Sequence, residues 1–377
     1  MDYIRYGRIL LNSSLSLKER LKILVKYFLI RRGARIQWER RFANVFRLHP
    51  NYGTPADKSV EKAHRLYWKP FRRRAGLSTL RVCKNISGVA DPGFIPEDIF
   101  ISDIEPNLNQ TASVEYLTYK SFYNHWFPDN LFPRDCFHNV DGEWLDHNLN
   151  PVSFNDIKSI AEKLSYPVVL KPNRYSYGGK DVHFPVNKDE LMTMLENKNN
   201  FIVQEKIKQN IFFDQFNHYG LNTVRVNIYR SVVDNRLHIV NMVLRMGVGG
   251  SLDNETAGGI ATMIRKDGSL NGFAVDKYGK RYIVHPDTGV NFDHKIPAFK
   301  ELKDTSLKIA GKIFYSRLIS LDLCYDSEEE WRAIEVNINW TTIRFAQYHG
   351  KKFFGEFTSE VIGYCLKNHW TLKSDKH

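Results

Sequence analysis

The 377-residue chain carries a net +12 at pH 7, with 42% hydrophobic and 25% charged residues, a balance that excludes disordered and fibrous classes. Its four cysteines (Cys83, Cys136, Cys324 and Cys365) show neither CxxC nor Cys/His spacing, so neither a disulfide framework nor a zinc site is expected, and a reducing cytoplasm suits them. No stretch approaches the ~20 apolar residues of a membrane span, and Met1-Asp2-Tyr3 opens without the apolar core of a secretory signal.

The charge is unevenly placed. Residues 1–84 hold 21 Lys/Arg against 5 Asp/Glu, a net +16 that leaves −4 for the remainder. Within this segment Ser16 and Glu19 have capping-box spacing, which predicts a helix from Leu17 to about Arg32. Leu21, Ile23, Leu24, Tyr27, Phe28 and Leu29 lie there among Lys18, Arg20, Lys22, Lys26, Arg31 and Arg32. Such a helix either packs on a domain with a solvated basic face or lies on an anionic membrane surface. A second helix is predicted over Asp57–Lys69, ended by Pro70 and followed by Phe71-Arg72-Arg73-Arg74. Aromatic residues among basic ones suit nucleic acid, but no recognised motif accompanies them and no nucleic-acid partner is expected.

Residues 86–109 are rich in turn formers and read as an extended segment laid over a domain surface. Ser113–Phe127 reads as a helix containing Lys120, and Asp141-Gly142 within Leu131–Asn148 signals a hairpin. Phe154–Leu164 is helical by period. The apolar run Pro167–Leu170 ends on Lys171, and a polar loop with Gly178 and Gly179 leads back to a strand at Val182-His183-Phe184. Adjacent glycines leave backbone N–H groups uncovered, so the loop can close over phosphate oxygens or form a plain glycine hairpin. A helix over Lys188–Asn197 and a strand from Phe201 up to Glu205 follow.

Two further strands, Thr223–Tyr229 and His238–Arg245, carry Arg225 and Arg245. Arginine suits bidentate contact with phosphate or carboxylate, or a sheet-surface ion pair. Asp322 ends a short apolar run, and Glu335 and Asn337, two apart in Ala333–Ile338, leave the same strand face. One or two carboxylates plus phosphate oxygens are enough to hold Mg²⁺. GxxxxGK[ST], GxGxxG, HExxH and GxSxG are all missing, which argues against P-loop, Rossmann, zincin and α/β-hydrolase chemistry.

Taken in order, Pro167–Val182, Phe201–Ile207, Asn222–Val226, Leu321-Asp322 and Ile334–Asn337 resemble the ATP-grasp superfamily. The likeness is greatest to its sugar-transfer-associated branch, found with capsular polysaccharide biosynthesis, and covers about residues 85–367. It implies an α+β, ATP-grasp fold: two α+β subdomains clasp ATP, behind an N-terminal helical, basic extension. The expected division is 1–84 for the extension and 85–165 for an N-terminal α/β region. Residues 166–210 then form the phosphate-loop subdomain and 211–377 the C-terminal subdomain with the metal site.

The resemblance also implies roles. Lys120, Lys171, Tyr177, Gly178 and Gly179 would meet the phosphates of ATP, and Gln204, Glu205, Lys206 and Ile207 the adenine edge. Asp322, Glu335 and Asn337 would hold Mg²⁺, and Arg225 and Arg245 would join Lys171 around the transferred phosphoryl group. Asn222, Asn254, Gly258, Gly259 and His285 fall on the substrate side, His285 as a general base or a turn-stabilising residue. Two departures stand out: Tyr119 precedes Lys120 where the branch has Asp, and Gln209 replaces the usual ribose-binding acid. The implied activity is a carboxylate–amine ligase working through an acyl phosphate, with a uronic-acid-type sugar and an amine or amino acid as partners. A cytoplasmic location at the inner face of the membrane follows, with the basic N-terminus near an anionic surface or a lipid-linked glycan. A sugar kinase would use the same site, and a basic scaffold without turnover is the alternative of another class.

Overall fold

The computed structural model describes residues 2–109, 111–127, 129–174, 179–196, 198–250 and 258–372. Helices α1 (Asp2–Leu10) and α2 (Leu17–Leu48) open the chain as a hairpin. The capping box forms as read: the Ser16 hydroxyl accepts from the Glu19 amide and the Glu19 carboxylate from the Ser16 amide. The helix runs on past Arg32 to Leu48. Gly33 meets open space and costs only about 1 kcal/mol against alanine. Burial of Ala34, Trp38, Phe42 and Val45 on the body of the protein outweighs that. One turn earlier, the Tyr27 hydroxyl donates to buried Asp103 at 2.5 Å and Arg31 donates to the Phe71 carbonyl at 2.9 Å. His369, near the end of the described chain, lies 3.1 Å from the same Asp103. The basic segment is therefore fastened to the body. Helices α3 (Lys58–Trp68) and α4 (Ser78–Ser87) complete it.

Residues 86–109 depart from the expected extended path. Glu97–Ile99, Phe100–Ile104 and Glu105–Leu108 are consecutive helical turns, and Ile95, Ile99, Phe100, Ile104 and Leu108 are buried at helical spacing. Glu105 is buried there, accepting the Thr341 amide at 2.7 Å, and burial raises its carboxyl to about 7. A carboxyl raised in the folded state destabilises the fold increasingly as pH climbs from its unfolded value toward 7. Glu105→Gln is accordingly expected to raise the melting temperature at pH 8 and leave it unchanged at pH 4.5. Equal shifts at both pH values in a thermal melt would contradict this.

The predicted helix Ser113–Phe127 is broken. Turns at Thr111–Val114, Glu115–Thr118, Lys120–Phe122 and Tyr123–Trp126 flank an extended Tyr119. The Lys120 amide donates to the Asn173 carbonyl at 2.6 Å and not to its own helix, which draws Lys120 to the end of a neighbouring strand.

Two antiparallel sheets follow. In the smaller, β1 (Asp135–Val140), β2 (Glu143–Asp146), β3 (Val168–Pro172) and β4 (Phe201–Glu205) take the order β2-β1-β4-β3. The hairpin turns at Asp141 and Gly142, both at positive φ, as the dipeptide predicts. Because β1 pairs with β4, a division at residue 165/166 falls inside this sheet. Helices α5 (Phe154–Glu162) and α6 (Lys188–Leu195) cover one face, burying Ile157, Ala161, Leu191 and Leu195 on Phe137, Val168, Leu170 and Val203. Alternation along β3 then turns Val169 and Lys171 to the other face.

The larger sheet contains β5 (Thr223–Arg230), β6 (Leu237–Met246), β7 (Ile260–Ile264), β8 (Ala274–Val275), β9 (Arg281–Tyr282), β10 (Leu318–Tyr325) and β11 (Trp331–Asn337). Their order is β11-β10-β5-β6-β7-β8-β9. Met242, Leu244 and Met246 pack on one face with α7 (Phe299–Gly311), while Val243 packs on the other with the N-terminal helices. That second face also carries Arg225, Arg245 and Asp322 at its open end.

Candidate active site

A cleft of about 1050 Å³ lies between the uncovered face of the small sheet and the open end of the large one. Lys120, Lys171, Gly179, Gln204, Glu205, Lys206, Ile207, Arg225, Arg245, Asp322, Glu335 and Asn337 all line it. The registers explain this convergence. Asp322 on β10 stands opposite Arg225 on β5 and Glu335 on β11, and Arg245 sits on β6 opposite Thr223. The β10–β11 ladder shifts register immediately after Asp322, and the bulge brings both Ile334 and Glu335 to the cleft.

Asp322 is the centre of charge. Arg225 donates to it through Nε and Nη2, both at 2.7 Å, Arg245 through Nη1 at 3.0 Å, and Asn337 through Nδ2 at 3.2 Å. Burial pushes its carboxyl up, but the two guanidiniums outweigh burial and hold it at about 2. The two arginines read as phosphoryl contacts thus grip a predicted metal ligand. Glu335 forms an ion pair with Lys120 at 2.8 Å.

Lys171 differs from the other cations. It is buried, and among the described residues its ammonium makes no hydrogen bond or ion pair. Burial first, and then the charge of Lys120, lower its ammonium to about 8, against a smaller opposing pull from Glu335 and Asp135. A buried cation facing a cleft without a partner is a strong place for an anion. Asp135, across the small sheet, accepts from Gln204 Nε2 at 2.7 Å, and burial raises its carboxyl to about 6.

Other predicted residues take different places. The Glu205 carboxylate is committed to Arg134 at 2.6 Å and Arg332 at 3.1 Å, and Lys206 and Ile207 continue the cleft lining beyond it. Gln209 donates to Asp214 and to the Asn217 and Gly220 carbonyls, so its amide serves the local turn. Asn222 belongs to the same knot, donating to Gln209, Phe213 and Asn217, and does not line the cleft. His285 is a turn residue: Nε2 contacts the Gly247 carbonyl at 2.9 Å, and Nδ1 meets the Asp287 amide. Burial lowers its imidazole below the usual range, and it stands outside the cleft lining formed by the described residues. Gly258 and Gly259 lead into β7, also outside that lining. Tyr177, Gly178 and Asn254 lie outside the described residues.

Two acids, Asp135 behind the lining residue Gln204 and Asp214 in the cleft wall itself, escaped the sequence reading. Asp135 gave no signal because its partner Gln204 is distant in sequence. Asp214, which lines the cleft five residues past Gln209, was hidden in a short helical turn, Ile211–Asp214.

The oxygen-only set of Asp322, Glu335 and Asn337 suits a hard cation such as Mg²⁺. Among the described residues no group of three or more His, Cys, Asp or Glu side chains forms a metal cluster. The fit is thus to a cation that takes the rest of its shell from phosphate and water.

Two antiparallel sheets closing on one cleft suit the α+β ATP-grasp fold. Residues 188–356 match the family described as sugar-transfer associated ATP-grasp, the branch of the ATP-grasp superfamily that the sequence resembles. No curated protein matches the chain. Among solved structures it is similar to N5-carboxyaminoimidazole synthetase of Staphylococcus aureus with ADP, at 12% identity over 67% of this chain and 54% of that one, TM-score 0.41. It is also similar to L-amino acid ligase of Bacillus licheniformis, at 13% identity over 67% and 48%, TM-score 0.39. A third similar structure is VanG D-Ala:D-Ser ligase of Enterococcus faecalis, at 16% identity over 66% and 62%, TM-score 0.39. The chain spans about half the length of the first solved structures it matches.

Proposed function

We propose that the chain is an ATP- and Mg²⁺-dependent ligase that joins a carboxylate to an amine. The observation that carries this reading is Lys171, whose buried ammonium has no partner among the described residues in a cleft that also presents Arg225, Arg245, Asp322 and Glu335. In the first step a carboxylate oxygen attacks the γ-phosphorus of ATP, the bond to the β-phosphate oxygen breaks, and ADP leaves. In the second, the amine attacks the acyl carbon, phosphate departs with the bonding electrons, and the amine gives up a proton. Lys171 and the arginines neutralise charge that grows on transferring oxygens, and the protein acts by positioning rather than by covalent attachment. Asp322, Glu335 and Asn337 would hold Mg²⁺, which would supply charge neutralisation at the phosphates. The Lys206–Ile207 backbone borders adenine, and Asp214 takes the place of the ribose acid sought at Gln209.

The branch of the family points to a uronic-acid-type sugar as the acid and an amine or amino acid as the acceptor, in surface or capsular polysaccharide biosynthesis. Incubating the protein with ATP and Mg²⁺ over a matrix of uronic-acid glycans and amino acids, with mass spectrometry of products, tests it. ADP, phosphate and an amide are expected only when acid and amine are both present. Glu335→Gln is expected to lower turnover about 100-fold or more through loss of a metal ligand. A phosphorylated sugar formed without amine would show a kinase instead.

A further inference from the structure

Helix α2 carries two apolar stripes, and the protein covers only one. Tyr27, Arg31, Ala34, Trp38, Phe42 and Val45 repeat at three- and four-residue steps and are buried. Leu17, Leu21, Val25 and Phe28 repeat at the same steps on a different side and face solvent, as does Leu29. Leu21, Val25, Phe28 and Leu29 are 50, 57, 50 and 58% exposed, and Leu10 and Leu11 at the end of α1 are also exposed. Arg20 donates to the Leu10 and Leu15 carbonyls, at 2.7 and 2.8 Å, which holds that end of the hairpin beside the stripe. Single exposed leucines are ordinary, but a row of this length is not.

The surround selects the occupant. Lys18, Lys22 and Arg32 are exposed within or beside the stripe, and residues 1–48 hold 12 Lys/Arg against 3 Asp/Glu. Apolar side chains with lysines able to extend past them fit the boundary of an anionic bilayer, where leucine and phenylalanine enter the acyl region and ammonium groups meet headgroups. None of the described helices is long and apolar enough to cross a membrane, so the contact is to one leaflet. We infer that the exposed stripe of α2, with the end of α1, docks the protein onto an anionic lipid surface. Docking holds without the ligase reading above, and the experiment needs neither ATP nor substrate.

The full chain is floated with vesicles of phosphatidylcholine alone or with 30% phosphatidylglycerol, at low and high salt. Binding is expected about tenfold stronger with the anionic lipid and weakened by salt. Leu21→Ser/Val25→Ser/Phe28→Ser should lose about tenfold in binding with an unchanged thermal melt, since all three side chains are exposed. Lys18→Gln/Lys22→Gln should lose a similar factor. Lys300→Gln/Lys308→Gln on α7, which packs on the opposite face of the large sheet, should lose little. Equal losses from the α2 and α7 charge pairs would overturn the proposal in favour of net charge alone. Absent vesicle binding, or a dimer in light scattering that Phe28→Ser dissociates, would overturn it too, the latter in favour of a second copy of the chain.

Discussion

Asp322→Ala is expected to destabilise the protein by about 3–5 kcal/mol, the usual cost of removing one partner from a buried ion pair. The Asp322 carboxylate receives hydrogen bonds from both Arg225 and Arg245, and all three side chains are largely buried, so its loss brings two guanidiniums together in a poorly solvated place. Their mutual repulsion then adds to the lost attraction. Asp322→Leu with Arg225→Met and Arg245→Met is expected to recover much of this stability, because an apolar cluster avoids the desolvation of the charges. Urea unfolding of the single and triple variants measures both effects. A single variant as stable as the parent would show that the cluster contributes nothing to folding. Both variants should lose turnover, since Asp322 also belongs to the proposed metal shelf.

Lys171→Met is expected to act in the opposite sense on stability. Burial already lowers the ammonium to about 8, so the folded protein holds this charge at a cost, and methionine of similar length removes it. The melting temperature at pH 7 should rise, while kcat/KM for ATP should fall about 10²–10³-fold, the effect of removing one preorganised charge stabiliser. A drop in both would mean that Lys171 is a structural residue. The intact lysine also gives ATP affinity a pH dependence. Phosphate oxygens raise its pKa, so the stabilisation is complete below about pH 8, where the free protein already carries the proton. Above that value binding must take up a proton, and affinity declines as pH rises. Calorimetric titration at pH 8.5 in two buffers of different ionisation enthalpy should reveal the uptake; identical heats would remove Lys171 from the phosphate contact.

These expectations rest on one position where fold stability and proposed function pull apart and one where they coincide. At Lys171 the site carries a charge that folding alone disfavours. At Asp322 the same carboxylate neutralises arginines and belongs to the proposed metal shelf, so loss of activity there must be interpreted with the stability measurement. The Glu335→Gln variant is cleaner because Glu335 is partly exposed and pairs only with Lys120 among the described residues.

What the sequence determined by itself was local. The Ser16–Glu19 cap, the Asp141-Gly142 turn and most of the strand limits follow from short-range backbone preferences and alternation, and they appear as read. So does the shared face of Glu335 and Asn337, since two-residue spacing fixes a strand face, while the β10–β11 register sets them against Asp322. The tertiary structure decided the rest. Gly33 alone suggests an end to α2, and only a surface able to bury Trp38 and Phe42 carries the helix past it. The turns at 97–108 form because buried apolar contacts outweigh the local preferences of the turn formers around them. Tyr119 interrupts its helix because Asn173, distant in sequence, offers a carbonyl to Lys120. Histidine and asparagine show the same limit at the site. Whether His285 or Asn222 serves a substrate or a turn depends on which buried carbonyls fold against it, and that is a property of packing, not of spacing.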